Sequence, residues 1–203
     1  MKKLLFILLF IPTLAFAQDE EKKHIQAGVG FSFGFFNPAD VNDYIDYRLQ
    51  GASVETGFSE IILHFGGKAF VGYRANNNLG IEAFLEGNIA PKVITITNGN
   101  DLNFMLNRVA PGVQLSYDIR LGKKHSIILG AGPTYNMISL RDDGDKVASG
   151  NAIGGKFTMA YQFSHKHIAP RAFIDIDYAK AKDGNFEMNY SGVQIGLAFS
   201  GLW

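Results

Sequence analysis

The chain has no cysteine among its 203 residues. Disulfides are therefore excluded as a source of stability, and so is a lipid anchor built on an N-terminal thiol. It has no net formal charge either, with 19 basic against 19 acidic residues. Without a basic surplus, nucleic acid is not an expected partner. Beyond residue 17 there is no run of 18 consecutive apolar residues, so no helix long enough to span a bilayer is expected. What the chain does have is 47% hydrophobic residues, 13% aromatic residues and 23 glycines.

The first 17 residues have the layout of a secretory signal. Lys2 and Lys3 precede an apolar run over 4–11, and Ala15-Phe16-Ala17 supplies a cleavage site before Gln18. A membrane anchor would need about 20 apolar residues; this run is shorter, and Pro12 interrupts it. Residues 1–17 are expected to be removed, leaving 18–203 as one domain with 17 basic and 19 acidic residues.

The remainder is organised by alternation. Over residues 193–203 apolar groups fall on every second position: Val193, Ile195, Leu197, Phe199 and Trp203. Between them stand Gln194, Gly196, Ala198 and Ser200. A two-residue period with one oily and one small face describes a strand between two different media. Gly201 occupies a place where a bulkier apolar residue is usual. Residues 25–35 repeat the pattern, with Val29, Phe31, Phe33 and Phe35 against Gly28, Gly30, Ser32 and Gly34. Six further strands are read between them. The second carries Ile61, Leu63, Phe65, Val71 and Tyr73 against His64, Lys68, Phe70 and Arg74. The third sets Leu79, Ile81, Leu85 and Ile89 against Glu82, Phe84, Glu86 and Asn88. The fourth, over 104–121, sets Val109, Val113, Leu115, Tyr117 and Ile119 against Arg108, Gln114, Asp118 and Arg120. The fifth starts near Ile127 and contains Pro133, which predicts a bulge. The sixth opposes Phe157, Met159 and Tyr161 to Lys156, Thr158 and Gln162, and the seventh opposes Ile168, Ile174, Ile176 and Tyr178 to Arg171, Phe173, Asp175 and Asp177.

Connections after odd-numbered strands (37–60, 91–103, 139–155 and 180–187) are long, whereas those after even-numbered strands span about four residues. The expected fold is all-β: an eight-stranded antiparallel up-and-down transmembrane β-barrel, with a short helix in the first long loop. An even count puts both chain ends on one side, and the loop asymmetry fits a membrane barrel with short turns on one face and long loops on the other. The rival is a soluble barrel with its apolar face inward around a ligand. The small residues on the other face of the first and last strands, the loop asymmetry and the apolar terminal Trp203 all oppose it.

With apolar residues facing lipid, the lumen receives Lys68, Arg74, Arg108, Arg120, Lys156 and Arg171 together with Glu82, Glu86, Asp118, Asp175 and Asp177. Slipping the register by one residue would put them in hydrocarbon, at about 2–4 kcal/mol for each Lys or Arg near the midplane. An eight-stranded lumen is only wide enough for side chains. These charges are therefore expected to form a paired ionic plug, with Glu82 and Glu86 facing Arg171 across the lumen and Lys68 beside Glu86.

Other motifs have plainer readings. His165-Lys166-His167 has a metal-like spacing but no acidic or cysteine companion nearby, so it reads as a polar turn. Asp142-Asp143-Gly144-Asp145 lacks calcium-loop spacing and reads as a loop tip. Gly28-Val29-Gly30 and Gly130-Ala131-Gly132 precede no helix and are not nucleotide loops. His64 with Ser59 and Glu60 could form an acid/base group at the rim, but no further motif accompanies it. Asn37-Pro38 is a helix start, with Val41, Tyr44, Ile45 and Leu49 on one face, as a rim helix, a lid or a partner surface. No cofactor, metal or catalytic residue is expected.

Taken together, residues 25–203 resemble the small outer-membrane β-barrel family typified by the transmembrane domain of OmpA and by OmpX. The resemblance rests on the strand pattern and the closing strand, where a C-terminal aromatic acts as an assembly signal in the family: here Val193, Ile195, Leu197, Phe199 and Trp203. It implies residence in the outer membrane of a Gram-negative-type bacterium, with membrane lipid and the barrel-assembly machinery as partners. It also implies a non-enzymatic structural or surface-interaction role, the surface partner being unspecified. A small porin or transporter for a small or hydrophobic solute is the alternative, and a lipid-modifying enzyme at the outer rim is a third.

Overall fold

The computed structural model describes residues 25–50, 54–56, 60–74, 78–96 and 101–203. The expected signal segment lies outside these residues, as do Ser59 and the turn signal Asn98-Gly99-Asn100. The elements run β1 (Ile25–Phe36), α1 (Ala39–Arg48), β2 (Val54–Thr56), β3 (Leu63–Arg74), β4 (Leu79–Ile96), β5 (Asp101–Arg120), β6 (His125–Asp142), β7 (Asp145–Phe163), β8 (Arg171–Tyr178), β9 (Lys180–Asp183), β10 (Phe186–Asn189) and β11 (Gly192–Leu202).

Eight of these strands are staves of one antiparallel sheet in the order β4-β3-β1-β11-β8-β7-β6-β5, and a β4–β5 pairing joins its two ends into a ring. The seam between the chain ends pairs Gln26 with Leu202 and continues to Phe36 opposite Gly192. Beyond it, Trp203 N–H donates to the Ile25 carbonyl at 2.8 Å, and Ile25 N–H donates to the Trp203 carbonyl at 2.9 Å. Alternation places Val29, Phe31, Leu115, Phe199 and some thirty other large apolar side chains on the outside of the ring, far more than water tolerates. Tyr73, Tyr117 and Tyr161 mark the outer face near the short-turn end, and Tyr135 and Tyr178 mark it near the loop end. This is how a lipid-facing band is framed by aromatic rings.

The wall is not of even height. β5 has 20 residues, about twice the 9–11 that a strand needs to cross a bilayer. β4, β6 and β7 have 18, 18 and 19, whereas β1, β3, β8 and β11 have 12, 12, 8 and 11. One half of the ring therefore rises as a tall half-cup at the loop end. Within it pack α1 and the β9–β10 hairpin, burying Val41, Ile45, Met188 and Tyr190 against Ile94, Phe104, Leu106, Ile138 and Leu140. β9 lies close against β7, where a Cβ at Gly150 would strike the Lys182 carbonyl.

Several expectations change here. Residues 139–155 are not a loop: β6 and β7 continue to Asp142 and Asp145. The two residues between them, Asp143 and Gly144, have φ of 48° and 91°, the positive values a tight I′ hairpin requires. Pro133 causes no bulge; β6 keeps one register against β5 on both sides of it, and the register shift lies instead between Leu140 and Arg141. Ile61 precedes its strand and is buried in the half-cup rather than facing out. Ile168 makes only isolated bridges, to His165 and Gly201, so the seventh stave begins at Arg171. Pro38 rather than Asn37 stands at the start of α1, with no side-chain cap. Part of the expected connection 91–103 is strand as well, since the third stave reaches Ile96.

The small faces of β1 and β11 also find their use. Bulky rings from neighbouring staves lie over them: Phe70 over Gly28, His64 over Gly34 and Phe173 over Gly196. The Trp203 ring itself covers Gly201, which explains a glycine at that position. Gly196→Leu drives its side chain into the Phe173 ring and should cost about 1–3 kcal/mol. Gly87→Ala, with nothing within 4 Å of the added carbon, should be neutral. Heat-modifiable gel mobility measures both, and equal melting midpoints for the two variants would contradict this packing.

Candidate functional site

Among the described residues, the lumen is where the buried charged groups gather. Alternation brings nine charged side chains into the lumen, each no more than 7% exposed: Lys68, Arg108, Lys156 and Arg171 with Glu82, Glu86, Asp118, Asp175 and Asp177. With the half-buried Arg74 that pairs with Asp118, cations and carboxylates are equal in number. The upper layer is centred on Glu86. Arg108 donates through Nη1 to Glu86 and through Nη2 to Asp177, both at 2.9 Å. Lys156 Nζ lies 2.7 Å from Glu86, 2.9 Å from Asp175 and 3.1 Å from Asp177. The Gln194 amide donates to Glu86 at 2.9 Å and to Asp177 at 2.8 Å. Asn136 accepts from Arg108 Nε at 2.8 Å.

The lower layer is centred on Glu82. Arg171 on β8 reaches it across the ring at 2.9 Å, Lys68 lies at 3.3 Å, and Gln114 donates to it at 2.9 Å. Three rings lie between the layers, and Lys68, 4.0 Å from Asp175, joins the two. Lys68 Nζ sits 4.7 Å from the centre of Phe84, 5.9 Å from Phe70 and 5.7 Å from Phe173, within the range of cation–π attraction. Arg171 lies 4.8 Å from the centre of Phe70. Below them, Arg74 and Asp118 pair at 2.7 Å near the short-turn end.

The expected pairings are rearranged in detail. Lys68 is the backbone partner of Glu86, but its ammonium turns to Glu82. Glu82 faces Arg171 as expected, while Glu86 pairs with Arg108 and Lys156 instead. Arg120 is corrected: as the last residue of its stave it is exposed at the rim rather than enclosed in the lumen.

Above the ionic layers the half-cup closes the loop end. Asp142 accepts from Arg48 Nε at 2.7 Å and from the Tyr44 hydroxyl at 2.9 Å, and Asp40 accepts from Glu187 N–H at 2.8 Å. Burial, and then the hydrogen bond to Asp142, push the Tyr44 phenol above its usual range; it stays a neutral donor. His64 is buried between Phe36 and Tyr190, at 5.3 and 5.1 Å between ring centres, while Glu60 is exposed. Asp143 Oδ1 accepts from Asn103 N–H at 2.9 Å. His165 stacks on Phe163 at the opposite end. Among the described residues no three His, Asp or Glu side chains converge as a metal site.

A ring of antiparallel staves, apolar outside and ionic inside, is matched over residues 4–200 by the family model for the outer membrane protein β-barrel domain. The chain belongs to that family. Its place is accordingly the outer membrane, with the short turns toward the periplasm and the half-cup outward. Three solved structures share this outer-membrane barrel's fold. Neisserial surface protein A has a TM-score of 0.58 at 14% identity, covering 88% of this chain and 97% of its own. OprG from Pseudomonas aeruginosa has 0.59 at 10%, covering 89% and 96%. Ail of Yersinia pestis, in complex with the heparin analogue sucrose octasulfate, has 0.52 at 11%, covering 89% and 99%. No curated protein matches.

Glu86→Gln removes the charge that faces both Arg108 and Lys156. Breaking one member of a fully buried set costs about 3–5 kcal/mol, so the variant should melt well below the parent in detergent. Lys182→Ala, at an exposed outer position, should melt with the parent. Coincident melting of Glu86→Gln and the parent would mean that the carboxylate does not hold the network.

Proposed function

We propose that this barrel is a closed, non-enzymatic outer-membrane protein whose work is structural or done by its outer surface, with a lumen plugged by ion pairs. The observation that carries this reading is the filling of the lumen. Two ionic layers, the rings of Phe70, Phe84 and Phe173 between them, and the α1 and β9–β10 stopper above leave little continuous space for a solute. The cavity beside Gln26, Glu82, Ile128 and Arg171 measures about 20 Å³, room for roughly one water. A path for a solute would need at least one layer to break while its partners stayed buried.

A surface role is also in keeping with Ail, a similar barrel whose solved structure holds a sulfated saccharide. The outward surface here is formed by α1, the β6–β7 tip and the β9–β10 hairpin, rigidly joined through Asp142 and Asp40. In the same reading, residues 1–17 are the export signal, 18–203 form the barrel domain, and the outer face of β11 with Trp203 is what the assembly machinery recognises.

In planar bilayers the intact chain should give no stable single-channel steps; steady conductance would favour the porin reading and overturn the plug. Deleting Trp203 removes two seam hydrogen bonds and the terminal ring, and should markedly slow outer-membrane insertion in cells. Insertion at the parent rate would show that the closing strand signals by other means.

A further inference from the structure

The stopper at the loop end carries a cleft between its two parts. Asp40, Asp43, Tyr44 and Tyr47 are spaced i, i+3, i+4 and i+7 on α1, so the helix sets them in one row. Opposite that row the β9–β10 hairpin turns at Gly184, whose φ of 60° suits a two-residue turn, and presents Asn185 and Phe186. These six residues line a shallow cleft of about 470 Å³, a volume within the range of small binding sites. Its walls are held in place. The Tyr44 hydroxyl donates to Asp142 at 2.9 Å, and the Tyr44 ring meets Phe186 edge-on at 6.3 Å and Phe104 at 6.4 Å. Asp40 accepts from Glu187 N–H at 2.8 Å, which ties helix to hairpin. Tyr47 alone stays open, with 66% of its surface exposed.

The charge of the two elements is one-sided. Residues 39–48 and 180–189 carry the carboxylates Asp40, Asp43, Asp46, Asp183 and Glu187 against the cations Arg48, Lys180 and Lys182. Those cations are engaged: Arg48 with Asp142 at 2.7 Å, Lys180 and Lys182 with Glu187 at 3.0 and 3.9 Å. None of them lines the cleft. Carboxylates beside aromatic faces suit an organic cation, because the carboxylate pairs with it and the ring face attracts it. An anion would meet Asp40 and Asp43 with nothing to offset them, and a neutral saccharide would leave both charges unmatched. A guanidinium fits better than an ammonium, since it is planar, stacks on a ring and can bond a carboxylate twice. Asp46 and Asp183 extend the acidic surface along the same two elements, as a segment with several basic residues requires.

We infer that this cleft docks a basic segment of a protein partner, with an arginine side chain lying against Tyr47 and Phe186 and pairing with Asp43. The inference rests on the surface role proposed above and names the chemistry of the partner.

The test is a calorimetric titration of the full chain in phosphatidylcholine nanodiscs with hexa-arginine, hexa-glutamate or maltohexaose. Hexa-arginine should bind saturably and more weakly as salt rises; the other two should not bind. Asp43→Asn and Tyr47→Ala change exposed side chains that the core does not use, and each should weaken hexa-arginine about threefold or more. Tyr47→Phe, which keeps the ring, should bind as the parent does, and so should Asp145→Asn, an exposed acid outside the cleft. Tyr47→Ala decides the matter, because a general attraction between a basic peptide and an acidic surface survives the loss of a neutral ring. Full affinity in Tyr47→Ala, or no saturable binding of hexa-arginine, overturns the cleft. Saturable binding of maltohexaose overturns the choice of a cation. Conductance does not enter these outcomes, so the cleft can fail while the closed barrel stands, and steady channels with hexa-arginine binding intact would overturn the closed barrel alone.

Discussion

Backbone hydrogen bonding in hydrocarbon governs everything else in this molecule. An unpaired N–H or C=O there costs several kcal/mol, so a sheet in lipid has to have no edge. The pairing of β4 with β5 along 17 residue pairs removes it. Once the ring is closed, alternation is no longer a preference but a partition, since each residue faces either lipid or lumen. Because eight staves enclose only a side-chain-filled space, whatever is sent inward has to pack and to neutralise itself there. The four buried cations and the half-buried Arg74, set against five buried carboxylates, meet that demand.

Such a network is not a strong source of stability. Removing so many charges from water is expensive, and an apolar filling of the same volume would serve as well or better. What the network does is fix identity and register, because the loss of any one charge strands its partner. Exposed pairs obey no such rule: the Lys180–Glu187 contact at 3.0 Å lies in water, where ion pairs contribute little. By this contrast, a charge lost in the lumen is expected to cost more than one lost from the outer surface.

Alternation made the eight staves and the inward charges legible, since lipid and lumen select opposite residue types at every step. Pair partners were not legible. Lys68 sits opposite Glu86 in register, yet long side chains in a narrow lumen reach across and along it, and Phe84 helps draw the ammonium to Glu82. The tall half-cup was read poorly for a different reason. Above the membrane the outer face meets water and the inner face meets the stopper, so Ser139 and Arg141 stand outward beside the inward Ile138 and Leu140. Polarity there resembles a loop although the backbone is strand. The helix face of Val41, Ile45 and Leu49 was legible from its spacing, but not the wall it packs on. Arg120 followed the lumen alternation in sequence, and only the stave's end shows why it leaves the interior.

The β1–β11 seam has a consequence in time. It joins residue 26 to residue 202, a separation nearly as long as the chain, and long-range closure of this kind is slow. No subset of staves has its edges paired, so no partial ring is a stable resident of the bilayer. The barrel cannot assemble stave by stave as it emerges. The whole chain has to be delivered unfolded and kept from aggregating until its last strand arrives, which makes the final eleven residues the clock for the entire structure.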